Sequence, residues 1–264
     1  MKSVLEFAAA KAEGRKISMV TCYDASFARL LEASQVDSLL VGDSAAMVMH
    51  GYADTLAATV ELMALHTSAV RRGAPTRFLV ADLPFLSFRK GVPAALDAVA
   101  ALMRAGANAV KLEGVAGHED VVAAITGSGV PVMGHLGLTP QSVHALAGFR
   151  VQGRSEDDAA RIQVEARRLE ELGCFSIVLE CVPAPLAAKI TAALRIPTIG
   201  IGAGAGCDGQ VLVLQDLLGL SNGFHPKFLR TYADGFAQFR DAFDRFDRDV
   251  KAGSFPSAAE SYDA

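Results

Sequence analysis

Pro93-Ala-Ala-Leu-Asp-Ala-Val-Ala-Ala-Leu-Met-Arg-Ala-Gly-Ala-Asn-Ala-Val-Lys-Leu-Glu113 is the stretch on which the fold turns. Pro93–Ala105 is amphipathic at helical spacing, Gly106 suits a helix C-cap, and Ala109–Glu113 is a short apolar run ending in charge. Helix, glycine, strand is a repeating unit, and it extends in both directions. The other strand-like segments are Ser18–Tyr23, Ser38–Asp43, Arg77–Asp82, Val130–His135, Ser176–Glu180, Pro197–Gly202 and Gln210–Gln215. Ala25–Ser34, Thr59–Arg72 and Asp157–Leu172 are further helical stretches, with Gly73 and Gly173 as further caps. Eight near-continuous apolar strands alternating with helices predict an α/β fold, a (β/α)8 TIM barrel with both sheet faces covered. An open doubly wound sheet would need a nucleotide-type glycine turn early in the chain, and none is present.

The 264 residues are 51% hydrophobic and 20% charged, and 25 Lys+Arg against 29 Asp+Glu leave a net charge of −4. No excess of positive charge favours a nucleic acid partner. One barrel domain spanning 1–264 accommodates this length. Cys22, Cys174, Cys181 and Cys207 form no C-x-x-C pair and read as reduced. No apolar run is long enough for a membrane span, and Met1–Ile17 lacks a signal-peptide pattern, so the expectation is a soluble, cytoplasmic protein.

Ahead of the first strand, Ser3-Val-Leu-Glu6 has the form of a capping box opening a helix that plugs the barrel bottom. After the last strand, Phe228, Tyr232, Phe236, Phe239, Phe243 and Phe246 mark one stripe of a helix over about 227–250. Packing on the barrel or on another subunit explains that stripe better than a ligand does. A loose tail is expected from about 253 to 264.

Chemistry in such barrels sits at the C-terminal strand ends. Five consecutive segments finish in ionisable residues: Asp43-Ser44, Asp82, Lys111 with Glu113, His135 and Glu180. Lys111 and Glu113 are two apart and share a strand face. Asp43, Asp82 and Glu113 in one mouth would repel unless a cation or protons balance them, and an all-oxygen set suits Mg²⁺. Lys111 would hold a substrate carboxylate; as a Schiff-base amine it would need a lowered pKa, which three carboxylates oppose. Glu180, expected away from this metal corner, reads equally as a partly desolvated general base or as an ion-pair partner. His135 is a structural histidine or an auxiliary hydrogen-bond donor. His50, His66, His118, His144 and His225 show no ligand spacing. Gly200-Ile-Gly-Ala-Gly-Ala-Gly206 fails the dinucleotide pattern and reads as backbone passing close to a ligand.

Nine motifs in order resemble the ketopantoate hydroxymethyltransferase family. They are Thr21-Cys-Tyr-Asp24, Val41-Gly-Asp-Ser44, Gly51-Tyr with Asp54-Thr55, Ala81-Asp-Leu-Pro-Phe85, Val110-Lys-Leu-Glu-Gly114, Gly134-His-Leu-Gly-Leu-Thr-Pro-Gln141, Val178-Leu-Glu180, Ile199-Gly-Ile-Gly-Ala-Gly204 and Cys207-Asp-Gly-Gln-Val-Leu-Val213. The resemblance implies a barrel of the phosphoenolpyruvate/pyruvate-binding type, with Asp43, Asp82 and Glu113 on Mg²⁺, Glu113 directly or through water. It implies oxo acid contacts at Asp43, Ser44, Asp82 and Lys111, and Glu180 as proton acceptor. The reaction implied is hydroxymethyl transfer from methylenetetrahydrofolate to 3-methyl-2-oxobutanoate in pantothenate biosynthesis, by a homo-oligomer, often a decamer. Ala45-Ala46, Ala57-Ala58 and Ala147-Gly148 depart from the family's usual pairs. The alternatives are another Mg²⁺-dependent 2-oxo acid aldolase or lyase on the same barrel, and a non-catalytic barrel subunit. The second would have lost a strand-end carboxylate, and none is lost.

Overall fold

Eight parallel strands close on themselves in sequence order. They are β1 (Ile17–Thr21), β2 (Ser38–Val41), β3 (Phe78–Asp82), β4 (Ala109–Glu113), β5 (Val132–Gly137), β6 (Ser176–Glu180), β7 (Thr198–Ile201) and β8 (Gly209–Leu212), with β8 pairing back onto β1. The helices are α1 (Val4–Ala12), α2 (Ala25–Ala33), α3 (Ala45–Val48), α4 (Val60–Gly73), α5 (Val92–Arg104), α6 (Glu119–Gly127), α7 (Glu156–Glu171) and α8 (Ala184–Ala193). The computed structural model describes residues 1–221, 223 and 226–262, so His225 and the last two tail positions lie outside the described residues. The barrel expected from the sequence is the barrel found.

Strand β4 shows how the sequence builds it. All five residues are buried although two are charged, because one face looks into the barrel and the other lies under helices. Side chains alternate along a strand, so the parity of one inward residue fixes the rest. Val80, Ala109, Met133 and Val178 belong to the barrel's apolar core. Two residues further along β3, β4, β5 and β6 stand Asp82, Lys111, His135 and Glu180, and Glu113 lies two beyond Lys111. Core and chemistry occupy the same inward column.

The bottom of the barrel is closed by α1. Phe7 and Ala10 are fully buried in the core cluster, and Phe7 packs edge-on against Phe175 and tilted against Phe78, each at 5.2 Å between ring centres. The plug therefore forms, but not through a capping box: Ser3 occupies the N-cap position without a side-chain cap bond. Lys11 anchors the helix by hydrogen bonds to Asp208 and to the Thr191 carbonyl.

Several local expectations need correcting. Gly106 and Gly173 take the positive φ of a helix cap, but Gly73 does not. Gly73 ends α4 within the helix, where a Cβ would lie 2.4 Å from the Ala25 carbonyl; its role is close helix packing. Gly204 and Gly206 likewise leave room for Ala184 and Ala188 of α8. Strand β2 stops at Val41, β5 runs on to Gly137, and β8 ends at Leu212.

The structure divides into two compact units, Met1–Val213 and Leu214–Ala264. The second holds α9 (Leu214–Leu217), α10 (Gly235–Lys251) and a 3-10 turn at Ala258–Glu260. Helix α10 starts at Gly235, later than the aromatic spacing predicts, because the Asp234 side chain accepts from Ala237 N–H and caps it there. Phe228 and Tyr232 precede the helix. Phe236, Phe239, Phe243 and Phe246 are exposed on it. No described helix is long and apolar enough to cross a membrane.

Candidate active site

Strand register brings the strand-end residues into one connected polar group. Asp82 pairs with Lys111 between β3 and β4, and Glu113 with His135 between β4 and β5. Gly137 of β5 pairs with Glu180 of β6 at a positive φ, where any Cβ would lie 2.2 Å from the Glu180 carbonyl oxygen. Only glycine lets these two strands meet there.

Asp82 Oδ2 accepts the Asp43 backbone N–H at 3.0 Å, and its Oδ1 lies 2.9 Å from Lys111 Nζ. Lys111 Nζ is 3.3 Å from His135 Nδ1. His135 Nδ1 is also 3.5 Å from Glu113 Oε1, and its Nε2 lies 3.2 Å from Glu180 Oε2. Asp43, Asp82, Lys111, Glu113 and His135 are all buried, while the Glu180 side chain keeps 18% exposure. Glu180 is thus one imidazole away from the carboxylate cluster, not remote from it as expected.

Burial, then the charges of Asp82 and Glu113, hold the Asp43 carboxyl well above the usual carboxylate range. Burial alone would lower Lys111, but Asp82, Asp43 and Glu113 outweigh it and raise the ammonium above its ordinary value. That keeps Lys111 charged. His135 is pushed down by burial and by Lys111 and pulled up more strongly by Glu113 and Glu180, to about 9. The Lys111 contact opposes a second proton on this ring, since an ammonium can only donate and Nδ1 must then offer its lone pair.

Ser44 stands at the N-cap position of α3, and its hydroxyl is hydrogen-bonded to the Tyr23 hydroxyl at 2.9 Å. Burial raises the Tyr23 phenol above its ordinary value, so it stays neutral. His66 bonds the Tyr23 carbonyl through Nδ1 at 2.6 Å and meets His50 Nε2 at 2.8 Å. Asp24 caps α2 by accepting from Ser26 and Phe27 N–H. Sequence reasoning assigned no role to Tyr23, His50 or His66. It also missed Gln141, which contacts both Asp43 and Glu113. The motifs ending in Asp24 and Gln141 contained the signal, but only the folded loops give those residues partners.

Among the described residues, no three His, Cys, Asp or Glu side chains converge as a ready-made metal cage. The family model of ketopantoate hydroxymethyltransferase matches residues 2–258. A 3-methyl-2-oxobutanoate hydroxymethyltransferase of Bdellovibrio bacteriovorus is 56% identical over 262 residues, covering 99% of this chain and all of that one. This chain belongs to the ketopantoate hydroxymethyltransferase family. A relative of the same name from Coxiella burnetii is 52% identical, over 95% of both chains. Ketopantoate hydroxymethyltransferases are enzymes, and this chain is one of them by its sequence. Its fold is also that of phosphonopyruvate hydrolase, solved with oxalate and Mg²⁺, at TM-score 0.64 and 12% identity over 98% of this chain and 93% of that one. A 2,3-dimethylmalate lyase of the PEP mutase/isocitrate lyase superfamily matches at TM-score 0.63 and 15% identity, over 95% and 86%. At such identities the likeness concerns the barrel alone.

Proposed function

We propose that the barrel mouth transfers a hydroxymethyl group from methylenetetrahydrofolate to 3-methyl-2-oxobutanoate, giving 2-dehydropantoate and tetrahydrofolate, as a cytoplasmic step of pantothenate biosynthesis. The observation that carries this reading is the unbroken polar path from Asp43 and Asp82 through Lys111 and His135 to Glu180. It provides an anion-holding end and a base end, side by side.

The donor set fits Mg²⁺, which takes one or two carboxylates and fills its remaining positions with water and substrate oxygens. Burial raises Asp43 most, and Asp82 and Glu113 add to it; the surplus negative charge of the three carboxylates supports a cation there. Asp43 and Asp82 would hold the ion, with Glu113 as a direct or water-linked third. Bound Mg²⁺ would supply Lewis-acid stabilisation of negative charge on the oxo acid oxygens. Lys111 and Ser44 orient the substrate carboxylate. Glu180 Oε2 accepts the proton from the carbon next to the ketone, and His135 Nε2 steadies that carboxylate. The resulting carbanion equivalent forms a carbon–carbon bond to the one-carbon unit as that carbon's bonds to the two folate nitrogens break. One water supplies the hydroxyl oxygen and protons return to the folate nitrogens, so oxo acid, methylenetetrahydrofolate and water give 2-dehydropantoate and tetrahydrofolate.

The test uses D₂O. Wild-type enzyme with Mg²⁺ and the oxo acid, without folate, should exchange the hydrogen next to the ketone. In Glu180→Gln both exchange and turnover should fall about 10²–10⁴-fold. Exchange at the wild-type rate in that variant would remove Glu180 as the base.

We also propose that the chain works as a homo-oligomer, on the support of the exposed aromatic stripe of α10. Sedimentation of dilute protein should give a multiple of the chain mass, and a monomer would overturn it.

A further inference from the structure

Gln141 lies in the short 3-10 turn Pro140–Ser142 that follows β5, and it is buried. Its backbone N–H is in the first turn, where no intrahelical acceptor exists, and it donates to Glu113 Oε2 at 3.0 Å. Its side-chain amide donates from Nε2 to Asp43 Oδ2 at 2.8 Å and to the Leu83 carbonyl at 3.0 Å. Two acceptors face one nitrogen, so the orientation of the amide is unambiguous: the NH₂ group points at both. One residue therefore reaches the loop after β2, the loop after β3 and the end of β4.

We propose that Gln141 is a positioning residue for the metal carboxylates, fixing which oxygen of Asp43 and of Glu113 is left to face a divalent cation. This rests on the reading of Asp43 as a ligand. An unrestrained carboxylate beside Asp82 would turn to escape the like charge. The amide proton holds Oδ2, so Oδ1 is the oxygen that remains available. The backbone N–H does the same for Glu113, leaving Oε1 on the His135 side. Asp82 has its own restraint, since Asp43 N–H takes its Oδ2. Partners of this kind set ligand orientation, and losing them weakens metal binding without removing a ligand. A residue whose only task was to tie loops together would use the Leu83 carbonyl and need no contact with a carboxylate.

Mn²⁺ is the probe, read by electron paramagnetic resonance of the free ion in titrations of the full chain, with no folate present. Gln141→Met keeps the length of the side chain and removes the donor. Its Mn²⁺ dissociation constant should rise about 10–100-fold over wild type. Turnover should then depend on metal differently: saturating Mg²⁺ should recover most of kcat, while the Mg²⁺ concentration for half-maximal rate stays raised. Gln141→Ser gives a second reading if the Met variant folds poorly. An unchanged Mn²⁺ affinity in a folded variant, with only a lower melting temperature, would make Gln141 a loop tie and overturn the inference. Wild-type protein that bound no Mn²⁺ would overturn the metal reading itself, and this inference with it.

Discussion

The two ends of the barrel are made from the same strands by opposite means. At the bottom, Phe7, Phe78 and Phe175 fill the interior with rings, and among the described residues the core cluster there is apolar. At the mouth, Asp43, Asp82, Lys111, Glu113 and His135 are just as buried and carry charge or a titratable ring. Burying paired charges gains little stability compared with burying apolar groups of similar volume. The bottom is therefore where the fold draws its stability, and the mouth is where it gives some up. The contrast predicts that substitutions at the two ends separate stability from activity.

Removal of divalent ions with EDTA should have the largest effect, abolishing turnover while leaving the fold, with Mg²⁺ restoring it. Asp82→Ala should act in the same direction and weaken oxo acid binding too. Full activity in metal-free protein would break the contrast, because Lys111 would then be the positive charge set against three mouth carboxylates. Next comes Phe7→Ala at the other end, which should cost about 3–5 kcal/mol of stability, the usual range for emptying a buried ring site. Denaturant titration measures it, and kcat per folded molecule should stay near wild type. A smaller effect is expected at Asp43. Its carboxyl holds a proton more tightly folded than unfolded, so metal-free protein should lose stability as pH rises from the ordinary carboxyl range near 4 towards the raised folded value. Asp43→Asn should flatten that slope and raise stability above it by about 1 kcal/mol, while turnover is lost. If the Asn variant is less stable than wild type at neutral pH without metal, the mouth is not under charge strain.

Much of this was legible in the sequence, for a definite reason. In a strand buried on both faces a charge has few excuses, so Asp82, Lys111, Glu113, His135 and Glu180 stood out at the ends of apolar runs, and parity aligned them. Their connections were less legible. Glu180 lies beside His135 because β5 and β6 are neighbours and Gly137 lets them close up, which no spacing along the chain reveals. Gln141 and Tyr23 gain their partners from loops that return over the mouth, so their motifs were visible and their roles were not. Helix α10 was placed too early because aromatic periodicity runs through Phe228 and Tyr232, while the Asp234 cap, a one-residue signal, sets the real start.

The plug at the barrel floor also bears on the order of events. With Phe7 and its neighbours filling the floor, that end of the barrel is shut, and under the proposed reaction its guests would come and go by the mouth. On the proposed reaction the oxo acid would lie deepest, against Lys111 and the carboxylates, and the bulkier folate would then arrive after it and depart before the product. Steady-state inhibition patterns would display that sequence as compulsory-order kinetics, with the oxo acid leading; a random order would mean that the folate site leaves a second way in.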